Sequence, residues 1–184
     1  MESVGARRGH FDLGTGYHGD LWLDLDALFA RPSRLRAPVA GLARWLRGRR
    51  VDAVCGPMEG GAFLAFALAG VLEVGFLPAY RGSGAAAYRL AAGSEIAGWR
   101  VAVVDDAVNA GTAVKACASR LGELGAEVVA VTALLAVGPA ADAADRLPLA
   151  DGVSVPFHAA ESVRSHAWLP ADCPLCADGV PLTE

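Results

Sequence analysis

Three short stretches of the 184-residue chain carry residue types that could do chemistry. In VAVVDDAVNAGTA, Val101 to Ala113, four apolar residues run into Asp105 and Asp106. A small turn follows, with the chain's only asparagine, Asn109. The backbone N–H groups of Ala110, Gly111, Thr112 and Ala113 would open the next helix without intrahelical partners, which makes an anion site. Gly111 lets the backbone approach closely, and the Thr112 hydroxyl adds a donor. The two carboxylates repel phosphate, but they suit neighbouring hydroxyls or a magnesium ion that also holds a diphosphate. The pattern fits a ligand with a phosphate at one end, a diol in the middle and a metal-bound diphosphate. Taken alone, two acids after a strand also serve as a turn or helix cap. No GK[ST] is present, so this is not a Walker-type loop.

The second stretch is GPMEGG, residues 56 to 61, another small-residue turn after an apolar run. The third is CPLC, with Cys173 and Cys176 in the compact spacing of a zinc knuckle. Zinc takes four ligands, and two are local. His158 and His166 upstream could complete a Cys₂His₂ set, or a second subunit could supply the rest; a reduced or oxidised pair in a tail is the alternative. His10 and His18 flank a GTG turn; either could touch a ligand, and the alternative is an exposed loop histidine with no specific role. Trp45 and Trp168 read as packing or dimer-contact residues, and Cys55 and Cys117 as small core residues. The arginines from Arg47 to Arg50 read as a helix end.

These residues need elements to position them. Leu35, Val39, Leu42 and Leu46 recur at helical spacing between about 33 and 47. Val51 to Cys55 reads as a buried strand, Ala62 to Leu72 as a buried helix and Gly75 to Tyr80 as a strand. Residues 82–98 read as a hairpin or loop. Arg100 to Val104 is a strand and Gly111 to Leu124 a helix ending at Gly125. Glu127 to Val137 is the most β-like run, and Val153 to Phe157 a last strand. Near the N-terminus, Leu21 to Leu25 alternates as a half-exposed strand does. Strands alternating with helices predict an α/β domain with a mainly parallel sheet covered on both faces. In such sheets ligands bind beyond the carboxyl ends of the strands, where both small-residue turns would lie.

Composition narrows the function classes. The chain is 54% hydrophobic and 20% charged, which fits one folded domain spanning residues 1–184. A formal charge of −4 argues against a nucleic-acid partner. No apolar run reaches membrane-spanning length and the start lacks a signal-peptide core, so a cytoplasmic protein without membrane contact is expected. Lys115 is the only lysine, which excludes any mechanism needing two.

VAVVDDAVNAGTA resembles the 5-phosphoribosyl-1-diphosphate (PRPP) motif of the type I phosphoribosyltransferases, in its orotate phosphoribosyltransferase form. GHFDLGTG resembles that family's N-terminal GxFxLxSG element, and VDAVCGPMEGGAFLA its diphosphate-loop region, in the same order and spacing. The resemblance covers roughly residues 5 to 137. It implies a parallel sheet flanked by helices, an N-terminal hood over about 1–30 and a homodimer; the CxxC tail over about 165–184 lies outside it and rests on the cysteine spacing alone. It implies a magnesium-dependent transferase of pyrimidine nucleotide synthesis that joins a nucleobase to ribose 5-phosphate and releases diphosphate. Asp105 and Asp106 would meet the ribose hydroxyls and stabilise the reacting centre, with magnesium held mainly through PRPP. Asn109, Ala110, Gly111, Thr112 and Ala113 would hold the 5-phosphate. Gly56, Pro57, Met58, Glu59, Gly60 and Arg81 would take the diphosphate. Trp22 and Leu23 would flank the base.

The chain also departs from the family pattern. Gly14 and Gly60 stand where the family carries lysines, and RGSGAAAYRLAAGSE replaces a Lys- and His-containing loop. The arginine for the orotate carboxylate is expected just beyond Val137, where GPAADAA stands with no cation before Arg146. A transferase for a different base and a non-catalytic PRPP-binding regulator therefore stay open alongside the orotate reading.

Overall fold

The computed structural model describes residues 6–13, 16–58, 60–82, 88–90, 95–143, 145–149 and 152–183. Glu59, Gly14 and most of the 82–98 segment fall outside the described residues.

Seven strands form the main sheet: β3 (Ala53–Pro57), β4 (Gly75–Arg81), β5 (Tyr88–Leu90), β6 (Arg100–Val108), β7 (Glu127–Val137), β8 (Arg146–Pro148) and β9 (Ser154–Val163). Their order is β5-β4-β3-β6-β7-β9-β8. The five central strands are parallel, and β5 and β8 close the edges antiparallel. The short β5 next to β4 makes the expected hairpin real in part.

Strand β6 shows why the sheet is buried on both sides. Ala102 and Val104 face one apolar cluster, while Val101 and Val103 face the other. The first cluster packs under α2 (Arg36–Arg47) and α3 (Gly61–Leu72), and the second under α4 (Thr112–Glu123). In α2, Val39, Leu42 and Leu46 are buried, as their spacing predicts. Helix α3 is less enclosed than its composition suggests, because Phe63 and Phe66 are 59% and 67% exposed. Cys55 and Cys117 are core residues. No described helix is long and apolar enough to cross a membrane.

The chain leaves β3 toward β4 on one side and leaves β6 toward β7 on the other. The order reverses between β3 and β6, so a crevice opens there at the strands' carboxyl ends. Both small-residue turns border it.

A second sheet differs from the sequence expectation. β1 (Arg7–Asp12) and β2 (His18–Trp22) form a hairpin, and β10 (Ala167–Trp168) adds to β2 from the far end of the chain. The strand expected over Leu21 to Leu25 ends at Trp22. Asp24 instead accepts the Ala27 N–H at 3.2 Å and starts the short helix α1 (Asp26–Phe29). The last long strand runs six residues past Phe157, to Val163. Beyond β10, a single turn α6 (Pro174–Ala177) follows the short helix α5 (Pro139–Asp142) in chain order. The tail and the N-terminal hairpin therefore form one hood.

Candidate active site

The acidic end of β6 is set by its backbone. Asp105 is buried and its Oδ1 accepts the Asp106 N–H at 3.0 Å; Asp106 Oδ1 accepts the Ala107 N–H at 2.8 Å. Burial raises the Asp106 carboxyl above its ordinary pKa, and Asp26 of α1 pushes it the same way. The hydrogen bonds from Ala107 and Asp105 and the Asp106 backbone oppose that rise. A partly dehydrated acid beside a second acid gains most from a cation or from hydroxyl donors.

The 56–61 turn lies directly on these acids. A Cβ at Gly60 would stand 2.2 Å from Asp106 Oδ2 and 2.6 Å from its Cγ. A Cβ at Gly61 would stand 2.5 Å from the Val104 carbonyl oxygen, and one at Gly56 would stand 2.6 Å from the Gly61 carbonyl oxygen. The glycines are what let the two turns touch. A side chain at position 60, where the resemblance often sets a lysine, would fit only if the Asp106 side chain moved. Met58 donates its N–H to Ala79 at 2.9 Å, and Arg81 follows at the end of β4 on the same edge. Pro57 pairs in register with Ala79.

The other turn starts α4. Gly111 takes a left-handed conformation, φ 73°, and no side chain caps the helix N-terminus. Lys115 Nζ donates to the Ala110 carbonyl at 3.0 Å and holds the turn closed. Without a side-chain cap, the first-turn N–H groups of this helix are suited to an anion. Asn109, Ala110 and Thr112 line a cleft of about 830 Å³. Its other walls are Gly138, Pro139 and Asp142 after β7, Arg164 to Trp168 after β9, and Leu13 and Tyr17 of the hood. A neighbouring cleft of about 270 Å³ holds Trp22, Leu23 and Ala107 and shares Leu13, Asn109, Ser165, His166 and Ala167 with the first. Asn109 thus stands in the wall between the clefts, its Oδ1 where a Gly138 side chain would go, 2.7 Å from that Cβ position.

No protein-family model matches the chain. Curated relatives do. It is 33% identical over 178 residues to the orotate phosphoribosyltransferase of Caldanaerobacter subterraneus, covering 96% of this chain and 88% of that protein. It is 32% identical over 187 residues to that of Carboxydothermus hydrogenoformans, covering 100% and 92%. The chain belongs to the orotate phosphoribosyltransferase family. Solved structures agree on the type I phosphoribosyltransferase fold. The orotate phosphoribosyltransferase of Aeropyrum pernix superposes with a TM-score of 0.68 at 23% identity, over 88% of this chain and 90% of that one. The adenine phosphoribosyltransferase of Rhodothermus marinus gives 0.68 at 18% identity, over 88% and 95%.

In this member of the orotate phosphoribosyltransferase family, the structure brings Gly56, Gly60, Asp105 and Asp106 together, and sets Asn109, Ala110 and Thr112 beside the hood. Trp22 is exposed and tilts against Phe11, ring centres 6.0 Å apart. Arg164, which no sequence motif singles out, lines the cleft, and His166, expected as a zinc-ligand candidate, lines it as well. Trp168, expected as a packing or dimer-contact residue, lines the cleft and stacks on His166 at 5.6 Å. The usable signal was Val155, Phe157, Ala159 and Val163 at alternate positions, interrupted at Glu161, which extend the strand past its expected end and bring Arg164 to the same edge as the two turns.

Proposed function

We propose that this enzyme transfers ribose 5-phosphate from PRPP to orotate, with release of diphosphate. The observation that carries the reading is the acidic pair at the β3–β6 crevice, pressed against a glycine turn and followed by an uncapped helix N-terminus. The N–H groups from Ala110 to Ala113 hold the 5-phosphate, with Asn109 and Thr112 adding side-chain donors. Asp105 and Asp106 accept hydrogen bonds from the ribose hydroxyls. As the bond to diphosphate breaks, positive charge grows on the ribose ring, and the two carboxylates stabilise it. The backbone of Gly56 to Gly60 and Arg81 receive the diphosphate. Magnesium bound with PRPP near Asp105 and Asp106 offsets charge on that leaving group. The dehydrated acidic pair fits such an ion.

Trp22 and Leu23 flank the base, and Arg164 meets the orotate carboxylate. The expected arginine position after β7 is taken by Gly138 and Pro139, but Arg164 reaches the same cleft from the neighbouring strand. Its Nε lies 3.5 Å from Asp142 Oδ1 in an exposed pair that is cheap to exchange for a ligand carboxylate. Diphosphate release from PRPP and magnesium, run with orotate, uracil, adenine, guanine and hypoxanthine, tests the whole reading. Orotate alone should turn over. Arg164→Ala should raise the KM for orotate by roughly 10- to 100-fold, the worth of one hydrogen bond to a charged group, and leave the KM for PRPP nearly unchanged. Turnover with another base removes the orotate assignment. No turnover, with PRPP still bound in calorimetry, makes the protein a PRPP-binding regulator.

A homodimer belongs to the same reading. Phe63 and Phe66 project from α3, which begins at the diphosphate turn, and pack only partly on Phe29 and Phe76 at 5.5 Å each. Aromatic area of that kind favours a second copy of the chain over water. Sedimentation equilibrium should give twice the chain mass, and Phe66→Glu should shift it toward one. A parent that sediments as a monomer at micromolar concentration rules the dimer out.

A further inference from the structure

The CPLC motif is completed by residues far from those its sequence neighbourhood suggests. His158 lies on β9 and stacks on Trp45 at 5.3 Å, while His166 stacks on Trp168 and approaches Asp20. The histidines beside Cys173 and Cys176 are His10 of β1 and His18 of β2. His10 is not an exposed loop residue: it is 2% exposed, as is Cys173. An irregularity in the β1–β2 register between Arg8 and Phe11 leaves both His10 and Phe11 buried, and so re-aims His10 toward the tail.

We propose that His10 Nε2, His18 Nδ1, Cys173 Sγ and Cys176 Sγ form a tetrahedral zinc site that clasps the C-terminal segment to the hood. The four atoms lie within 4.8 Å of one another. Zinc–sulfur bonds of about 2.3 Å and zinc–nitrogen bonds of about 2.05 Å set tetrahedral edges of about 3.5 Å for S···N and about 3.3 Å for N···N. The observed S···N separations are 3.5, 3.7 and 3.2 Å, and the N···N separation is 3.0 Å.

Hydrogen bonding alone accounts poorly for this convergence. His10 Nδ1 lies 2.7 Å from the Val180 carbonyl and so must carry the proton that it donates there. That tautomer leaves Nε2 with one lone pair facing three neighbours at once, an arrangement suited to a cation. A backbone carbonyl that fixes the outer nitrogen of a ligating histidine is the usual support for a metal ligand. Two thiolates and two imidazoles favour zinc, and four protein donors leave no open position, so the site is structural. Each cysteine binds as its thiolate and gives its proton to solvent.

The clasp has a place in the architecture. Beyond Cys176 the chain runs back along β1, where Thr183 donates its N–H to the His10 carbonyl at 2.6 Å. Before Cys173, β10 pairs with β2, and Asp20 accepts the His166 N–H at 2.8 Å. One ion therefore joins the two chain segments that supply Tyr17, His166 and Trp168 to the large cleft.

The test uses the full chain, expressed with zinc and purified under reducing conditions. Metal analysis should find about one zinc per chain, and Cys173→Ser with Cys176→Ser should bring it below about 0.1. Chelation should lower the melting midpoint by about 5 °C or more. Cobalt added to the chelated parent should give the intense visible bands of a tetrahedral ion with thiolate charge transfer, a readout that does not depend on a variant folding. Zinc-free parent that takes up no cobalt overturns the proposal. So does full zinc in the double variant, or a Cys173–Cys176 disulfide in the zinc-supplemented protein. Base specificity plays no part in these readouts, so the clasp and the transferase assignment stand or fall separately.

Discussion

Asp105→Asn together with Asp106→Asn should lower kcat/KM for PRPP by a factor on the order of a hundred to ten thousand, with the fold intact. Each carboxylate accepts hydrogen bonds as a charged group, worth about 1.5–3 kcal/mol, and the pair sums to that range if additive. Asparagine keeps the shape and the acceptor that holds the turn, so the loss falls on the ligand and not on the backbone. The pH dependence follows from the environment of Asp106. Burial and Asp26 hold its pKa above the ordinary value, so the parent should lose PRPP affinity on acidification at a pH above the usual aspartate range of about 3.9. Stability runs the other way. A carboxyl whose folded pKa is raised adds stability below its unfolded pKa, and that contribution is lost as pH rises through the folded value. At neutral pH the ionised Asp106 is therefore a cost to the fold, and Asp106→Asn should melt no lower than the parent. Thermal melts and PRPP calorimetry at pH 5 and pH 7.5 read both effects. A double variant that binds PRPP like the parent, or that melts sharply lower, would make the acids a structural cap.

How far the sequence reveals such a molecule depends on how local each feature is. Strand β7 begins and ends where its apolar run does, because a parallel strand covered on both faces reads as an unbroken hydrophobic stretch. The acid pair is legible as a pair but not in its element. β6 runs four residues past the expected Val104, to Val108, because Asp105, Ala107 and Val108 keep pairing with β7, so both acids stand on the strand and the turn is confined to residues 109–111. The hood is less legible. Its sheet is built from β1, β2 and β10, three short strands whose pairing joins the two ends of the chain. The alternation at Leu21 to Leu25 continued past the true strand end because Asp24 serves as a helix start, a role that polar spacing does not distinguish from an outward strand position. The partners of Cys173 and Cys176 were sought at His158 and His166, the nearest histidines in sequence. The structure instead brings His10 and His18 from more than 150 residues away. Arg164 escaped for a related reason: it lines the cleft from the strand adjacent to β7, and strand adjacency is a property of the sheet.

Position 60 gives the sharpest test of whether the two turns act as one site. The resemblance often sets a lysine there, so adding a side chain looks harmless from sequence. Geometry says otherwise. A single Cβ at Gly60 would meet Asp106 Oδ2 at 2.2 Å and Cγ at 2.6 Å, well inside contact distance. Either the Asp106 side chain leaves the rotamer held by the Ala107 N–H, or the 56–61 turn lifts away from β6. Both displace a ligand group without removing any functional atom. The neighbouring Gly56 and Gly61 face backbone atoms, where added carbons would disturb the fold itself; Gly60 faces a side chain that can move. Gly60→Ala should therefore cost function more than stability: kcat/KM for PRPP falls about 10- to 100-fold, as for the loss of one charged contact, while the melting midpoint drops by only a few degrees. Calorimetry of PRPP binding and a thermal melt on the same preparation separate the two. In the background of Asp106→Ala, where the clash is relieved, the same substitution should cost almost nothing, since the coupling between the two positions is the effect being measured. Equal losses in both backgrounds would show that Gly60 acts without Asp106, and the two turns would have to be treated as separate sites.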